Sequence, residues 1–266
     1  MEPIESITFV VAVVLSLVLW SRWYLCLVRV RRLALSGRGM LLLALAPVVA
    51  WATTTAVVLA YGDAVVRASP LWIAFYLFLG MAWTGGVALL MPLLGIHPFI
   101  DAIERRNAIA AWPVAGTLIG AGLAFAGGNI GDGPGFWVVL FSAALSTGAL
   151  IGLLIVVGVV ARTDLRVTVD RDPAAAFRLG LLAICMGAML GRAVAGDWVS
   201  PGATVREFLR DGWPAAALAM IEIGVARFPR TPRPNGRFEL DLPGLFAGFV
   251  SIGFTVTQLI VVGWWR

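Results

Sequence analysis

The sequence predicts an all-α, polytopic helical membrane protein of about eight transmembrane helices, forming one domain over 1–266 with no soluble part. Three observations carry this. The 266 residues are 60% apolar and 13% charged, against about 45–50% and about 25% in a soluble domain. Mean hydropathy is +0.93. Eight spans of about 20 residues require about 160 positions, which matches the apolar share. The twenty basic residues are all Arg, a bias that reads as the codon usage of a GC-rich bacterial genome. They lie between apolar runs rather than in one stripe, so no nucleic-acid partner is expected.

The first apolar run, 6–28, follows MEPIES. That start lacks the cationic region and cleavage site of a secretory signal, so the run should remain as an uncleaved anchor. The second, 40–61, holds Thr53, Thr54 and Thr55, and the third, 71–94, begins beside Pro70 and Trp72. The fourth, 108–128, starts after Asn107, a good N-cap. It ends in GGNIGDGPGFW, which reads as a tight turn or, through its backbone N–H groups, as an anion cradle. The fifth, 136–161, carries Ser146 and Thr147. The sixth, 174–196, starts at Asp172-Pro173, a cap followed by a first-turn proline. A weaker seventh run, 213–228, contains Glu222 and follows an outer loop at 197–212. The eighth, 243–265, sets Ser251, Thr255 and Gln258 on one face.

The arginines arbitrate the count. With eight spans and the N-terminus outside, fourteen arginines fall in inner loops, among them Arg105, Arg106, Arg171, Arg178 and Arg227. Four fall outside: Arg67, Arg206, Arg210 and Arg266. That asymmetry follows the positive-inside rule and predicts a bacterial inner-membrane protein with both termini on the non-cytoplasmic side.

Two patterns concern packing. Gly62-Asp63, Gly131-Asp132 and Gly196-Asp197 recur at 69 and 65 residues, each at a predicted outer end. They read either as three parallel copies of one hairpin, over 40–94, 108–161 and 174–228, or as ordinary turn chemistry. Under the repeat, Asp63, Asp132 and Asp197 mark equivalent corners. Four GxxxG pairs, Gly116/Gly120, Gly148/Gly152, Gly187/Gly191 and Gly244/Gly248, offer flat faces where helix backbones can approach, within the chain or between subunits.

The run DAIERRNAIAAWPVAGTLIGAGLAFAGG, residues 101–128, resembles the YjfL-like family of small bacterial inner-membrane proteins of unknown function. Asp101, Glu104, Asn107, Ala115, Gly116, Gly120 and Gly127 carry the likeness. It covers about a tenth of the chain. The resemblance implies a repeated-hairpin membrane fold, with a link to membrane-stress operons, and no reaction.

No catalytic motif of the GxSxG, HExxH or paired-Cys kind occurs, so neither enzyme activity, cofactor nor metal is expected. Cys26 and Cys185 lie in apolar runs far apart. The only histidine, His97, precedes Asp101 and Glu104 and reads as an interfacial loop residue, or else as part of a metal or proton relay. Charges inside spans are costly, about 2.5–3.5 kcal/mol each on insertion scales, and Arg22, Arg192 and Glu222 are the candidates. Arg192 can snorkel to the outer surface. Glu222 is either half of a structural ion pair or a proton or cation site, with Arg22 the first candidate for its partner. With Ser251, Thr255 and Gln258 these residues would form an ion or solute path. The leading expectation is a structural or assembly component, partnered by lipid and by a second copy or another membrane protein. The alternative is a channel or secondary transporter.

Overall fold

The computed structural model describes residues 2–32, 38–227 and 242–263. Among the described residues there is no strand, and eight long helices dominate: α1 (Pro3–Arg32), α2 (Arg38–Tyr61), α4 (Pro70–Leu90), α5 (Ala111–Gly127), α6 (Phe136–Ala161), α8 (Pro173–Ala193), α9 (Pro201–Arg227) and α10 (Leu242–Val262). Two short helices, α3 (Ala64–Arg67) and α7 (Thr163–Thr168), sit at turns. Six apolar segments are long enough to cross a bilayer: Pro3–Arg29, Gly39–Tyr61, Pro70–Leu94, Ala108–Gly127, Phe136–Ala161 and Pro173–Ala193. The protein is an all-α, multi-pass membrane protein whose environment is the lipid bilayer.

Local chemistry sets several boundaries. Asp172 accepts hydrogen bonds from the Ala174 and Ala175 amides, and Pro173 opens α8. Asp63 caps α3 through the Val65 amide at 2.8 Å. Pro70 stands in the first turn of α4.

One predicted boundary is corrected. In place of an outer loop over 197–212, α9 begins at Pro201. Its buried positions Thr204, Phe208, Gly212, Ala215, Ala219, Glu222 and Ala226 recur at three- and four-residue steps, the stripe of a packed helix. Arg206, Glu207, Arg210 and Asp211 lie off that stripe, and their charge masks the helix from a hydropathy reading.

The long helices form two layers. α2, α5, α8 and α10 pack in that order, each on the next, and α1, α4, α6 and α9 form the other layer against them. Contacts within each layer join residues about one helix pair apart. Ser16 and Trp20 donate to the Phe78 and Met81 carbonyls, Thr54 to the Gly122 carbonyl, and the Trp83 indole to Thr147 Oγ1. Neighbours in a layer therefore run parallel. The helices of one layer begin at Pro3, Pro70, Phe136 and Pro201, and those of the other end at Tyr61, Gly127, Ala193 and Val262.

The turns entering α5 and α8 share a geometry. The Asn107 amide donates to the Asp101 carbonyl and the Asp172 amide to the Arg166 carbonyl, each across six residues. Arg106 and Arg171 both adopt φ 53°, a left-handed conformation that non-glycine residues seldom take. Arg171 and Asn107 then stitch the two turns together, through the Arg105 and Val167 carbonyls.

The centre of the molecule is the parallel pair α5 and α8. A Cβ on Gly116, Gly120, Gly127 or Gly187 would fall on backbone of the opposite helix: on Gly180 from Gly116, on Ala183 from Gly120, on Gly191 from Gly127 and on Gly120 from Gly187. Around this seam the buried residues are mostly alanines, with Leu118, Leu182 and Met186, while large apolar side chains such as Val10, Leu17, Val159 and Phe249 face outward. Lipid supplies no hydrophobic reward for burying a side chain, so close small-residue packing holds the centre.

Candidate functional site

The buried charges converge on α8 and α9. Arg178 stands five residues into α8 and is 2% exposed; Glu222 stands five residues before the end of α9 and is 6% exposed. The Arg178 Nε–H group donates to both Glu222 oxygens, at 3.1 and 3.2 Å. Five residues of helix rise about 7.5 Å, so the pair lies a turn and a half inside the arginine-rich end. Arg178 Nη1 and Nη2 are buried with no hydrogen-bond partner among the described residues.

This corrects the expected partner. Arg22 is exposed on α1, which packs chiefly on α4, whereas α9 packs on α8 and α6. Arg178 belongs to a span and not, as the positive-inside count takes it, to an inner loop. The signal for this in the sequence is the Asp172-Pro173 cap, which starts the helix early enough to carry Arg178 inside it.

Arg192 occupies the opposite end of α8. Its guanidinium donates to the Gly263, Ala195 and Val262 carbonyls, at 2.8, 3.3 and 3.4 Å, neutralising the exposed carbonyl ends of α8 and α10. It borders a polar surface groove with Glu207, Arg210 and Asp211. A hydrogen bond from Arg210 holds the Asp211 carboxyl below its ordinary range.

On α10 the hydroxyls turn inward on their own helix: Ser251 donates to the Ala247 carbonyl and Thr255 to the Ser251 carbonyl. Thr255 is buried, and Gln258 is half-buried. These bonds engage the Ser251 and Thr255 hydroxyl protons of the expected path. His97 is exposed, and it is its backbone amide that donates to Asp101, at 2.6 Å. Asp101 also pairs with Arg105 at 2.9 Å. The imidazole–carboxylate relay is therefore not formed, and among the described residues no three His, Cys, Asp or Glu side chains converge for a metal.

The glycine pairs fall into three environments. Gly116, Gly120, Gly187 and Gly191 meet backbone across α5 and α8. Gly248 meets the Leu181 and Phe177 side chains of α8, and Gly244 lies in the first turn of α10. A Cβ added to Gly148 or Gly152 on α6 would meet nothing within 4 Å. Gly148 lines an apolar groove of about 580 Å³ between α1, α4 and α6.

The Gly-Asp corners come together at one end. Gly62 pairs with Ile130 in an isolated antiparallel bridge. The Gly196 amide donates to the Ile130 carbonyl, the Trp198 amide to the Asp132 carbonyl, and the Asp132 amide to Asp197 Oδ1 at 2.9 Å. No family model, curated protein or solved structure matches the chain.

Proposed function

We propose that the protein is a non-catalytic structural or assembly component of a bacterial inner membrane, crossing the bilayer eight times as four related helix pairs. The 65- to 69-residue steps between corresponding helix boundaries support the repeated pair, as does the YjfL-like resemblance of one turn and helix. The observation that carries the assembly role is the contrast among glycines. Those of α5 and α8 are filled by the chain's own backbone, while Gly148 and Gly152 leave α6 open toward the membrane. In lipid, an open small-residue face gains most from a second helix laid against it.

The test is the mass of the protein in nanodiscs, measured for the native chain and for Gly148→Leu. The native chain should be larger than one copy, and Gly148→Leu should reduce it to a monomer that melts normally. A native monomer with no bound partner overturns the reading.

A second reading, a channel or transporter, is favoured by the two guanidinium nitrogens of Arg178 that have no partner among the described residues, since an intramembrane charge is by default a functional candidate. Ion or proton flux into proteoliposomes above that of empty vesicles, lost in a Glu222→Gln variant that remains folded, would establish it.

A further inference from the structure

Where the Gly-Asp corners meet, the structure leaves a small, partly open cavity of about 50 Å³. Its lining residues include Asp63, Asp132 and Asn129 and the hydroxyl-bearing Tyr76, Ser142 and Thr204, with no basic residue among those described; Asp63 is half-buried and Asp132 exposed. Asn129 is 7% exposed. Its Nδ2 donates to the Phe125 carbonyl at 3.0 Å, which fixes the amide orientation and aims Oδ1 the other way. That oxygen is buried with no hydrogen-bond donor among the described residues. A buried acceptor without a donor is costly, and among the described residues the lining sets carboxylate residues beside it and no cationic side chain.

We infer that this cavity is a binding site for a hard divalent cation, with Ca²⁺ as the matching probe. Asn129 Oδ1 and the two carboxylates supply the oxygen ligands such ions take, and neutral hydroxyls, carbonyls and water complete a coordination of six to eight. Two carboxylates balance a charge of +2, and the volume excludes an organic ligand. The ion would bridge the α2–α4 corner, through Asp63, to the α5–α6 corner, through Asn129 and Asp132. These corners are otherwise joined by backbone contacts.

The experiment uses the full chain in nanodiscs, stripped with a chelator and titrated with Ca²⁺ while melting is followed. Half-saturation should fall at about 0.1–1 mM, the range of extracellular modules. Saturation should raise Tm by about 5 °C, as linkage gives at a hundredfold excess over Kd. Tb³⁺, a luminescent stand-in, should be sensitised by Trp198, which also lines the cavity. Asp63→Asn and Asp132→Asn keep side-chain shape and should leave the metal-free Tm unchanged. Both should abolish the Ca²⁺ shift and the Tb³⁺ signal, and Asn129→Ala should weaken binding at least about tenfold. An unmoved Tm at about 10 mM Ca²⁺, an equal shift in Asp132→Asn, or a response to Na⁺ alone would each overturn the assignment.

Discussion

At the scale of single residues, the Arg178–Glu222 pair has an unequal energetic structure. Removing one partner leaves an uncompensated buried charge, which costs about 3–5 kcal/mol, whereas replacing both by apolar residues of similar volume is often neutral or better. Arg178→Met and Glu222→Met should therefore each destabilise the protein strongly, and the two combined should recover most of the loss. Chemical unfolding in micelles measures the cycle; a loss in the double variant equal to the sum of the single losses would show that the two side chains do not stabilise the fold as a pair. Glu222 is legible from the sequence because an acid inside an apolar run is anomalous. Arg178 is legible only through the Asp172-Pro173 cap, which starts the helix before it; a count of charges by itself does not separate an arginine near a helix start from one in the loop. The choice of Arg22 rests on depth in the bilayer, and depth does not say which helices are neighbours.

At the scale of elements, the seam between α5 and α8 and the open face of α6 have the same GxxxG signature and opposite tolerance. On Gly120 a side chain would collide with the Ala183 carbonyl, and backbone cannot give way as a flexible side chain can. On Gly152 it would enter open space. Gly120→Leu should cost more than the about 1–3 kcal/mol typical of overpacking, seen as loss of folded protein. Gly152→Leu should leave the Tm of the single chain near that of the native protein. Comparable damage from the two would mean that α6 is covered as tightly as α8. The spans from 40 to 196 are readable because their apolar runs end at Gly, Pro and Asp. The amino-terminal half of α9 is not, since its charged residues lie on one face and only the buried stripe Thr204, Phe208 and Gly212 reveals a helix.

At the scale of the whole molecule, the parallel order within each layer fixes where the chain ends lie relative to the corners. The start of α1 and the end of α10 share the end of the molecule that holds the Gly-Asp corners, and Arg192 donates to the Gly263 carbonyl there. Arg29, Arg105, Arg106, Arg162, Arg171 and Arg227 lie at or beyond the other ends of their helices. If that arginine-rich end is cytoplasmic, as the positive-inside rule requires, both termini are exported. The crossing on which this turns is α9, which fails a hydropathy criterion but has 27 residues, about 40 Å of helix against a hydrocarbon core of about 30 Å. Its charged stretch ends at Asp211, about 15 Å into the helix, so 213–227 supplies only about 22 Å, and a crossing by α9 requires local thinning of the bilayer. A reporter fused after Arg266 should thus be active outside the cytoplasm, and one fused after Arg227 inside it. A cytoplasmic signal from the first fusion would mean that α9 lies along the membrane rather than through it, and would reduce the four helix pairs to three and a half.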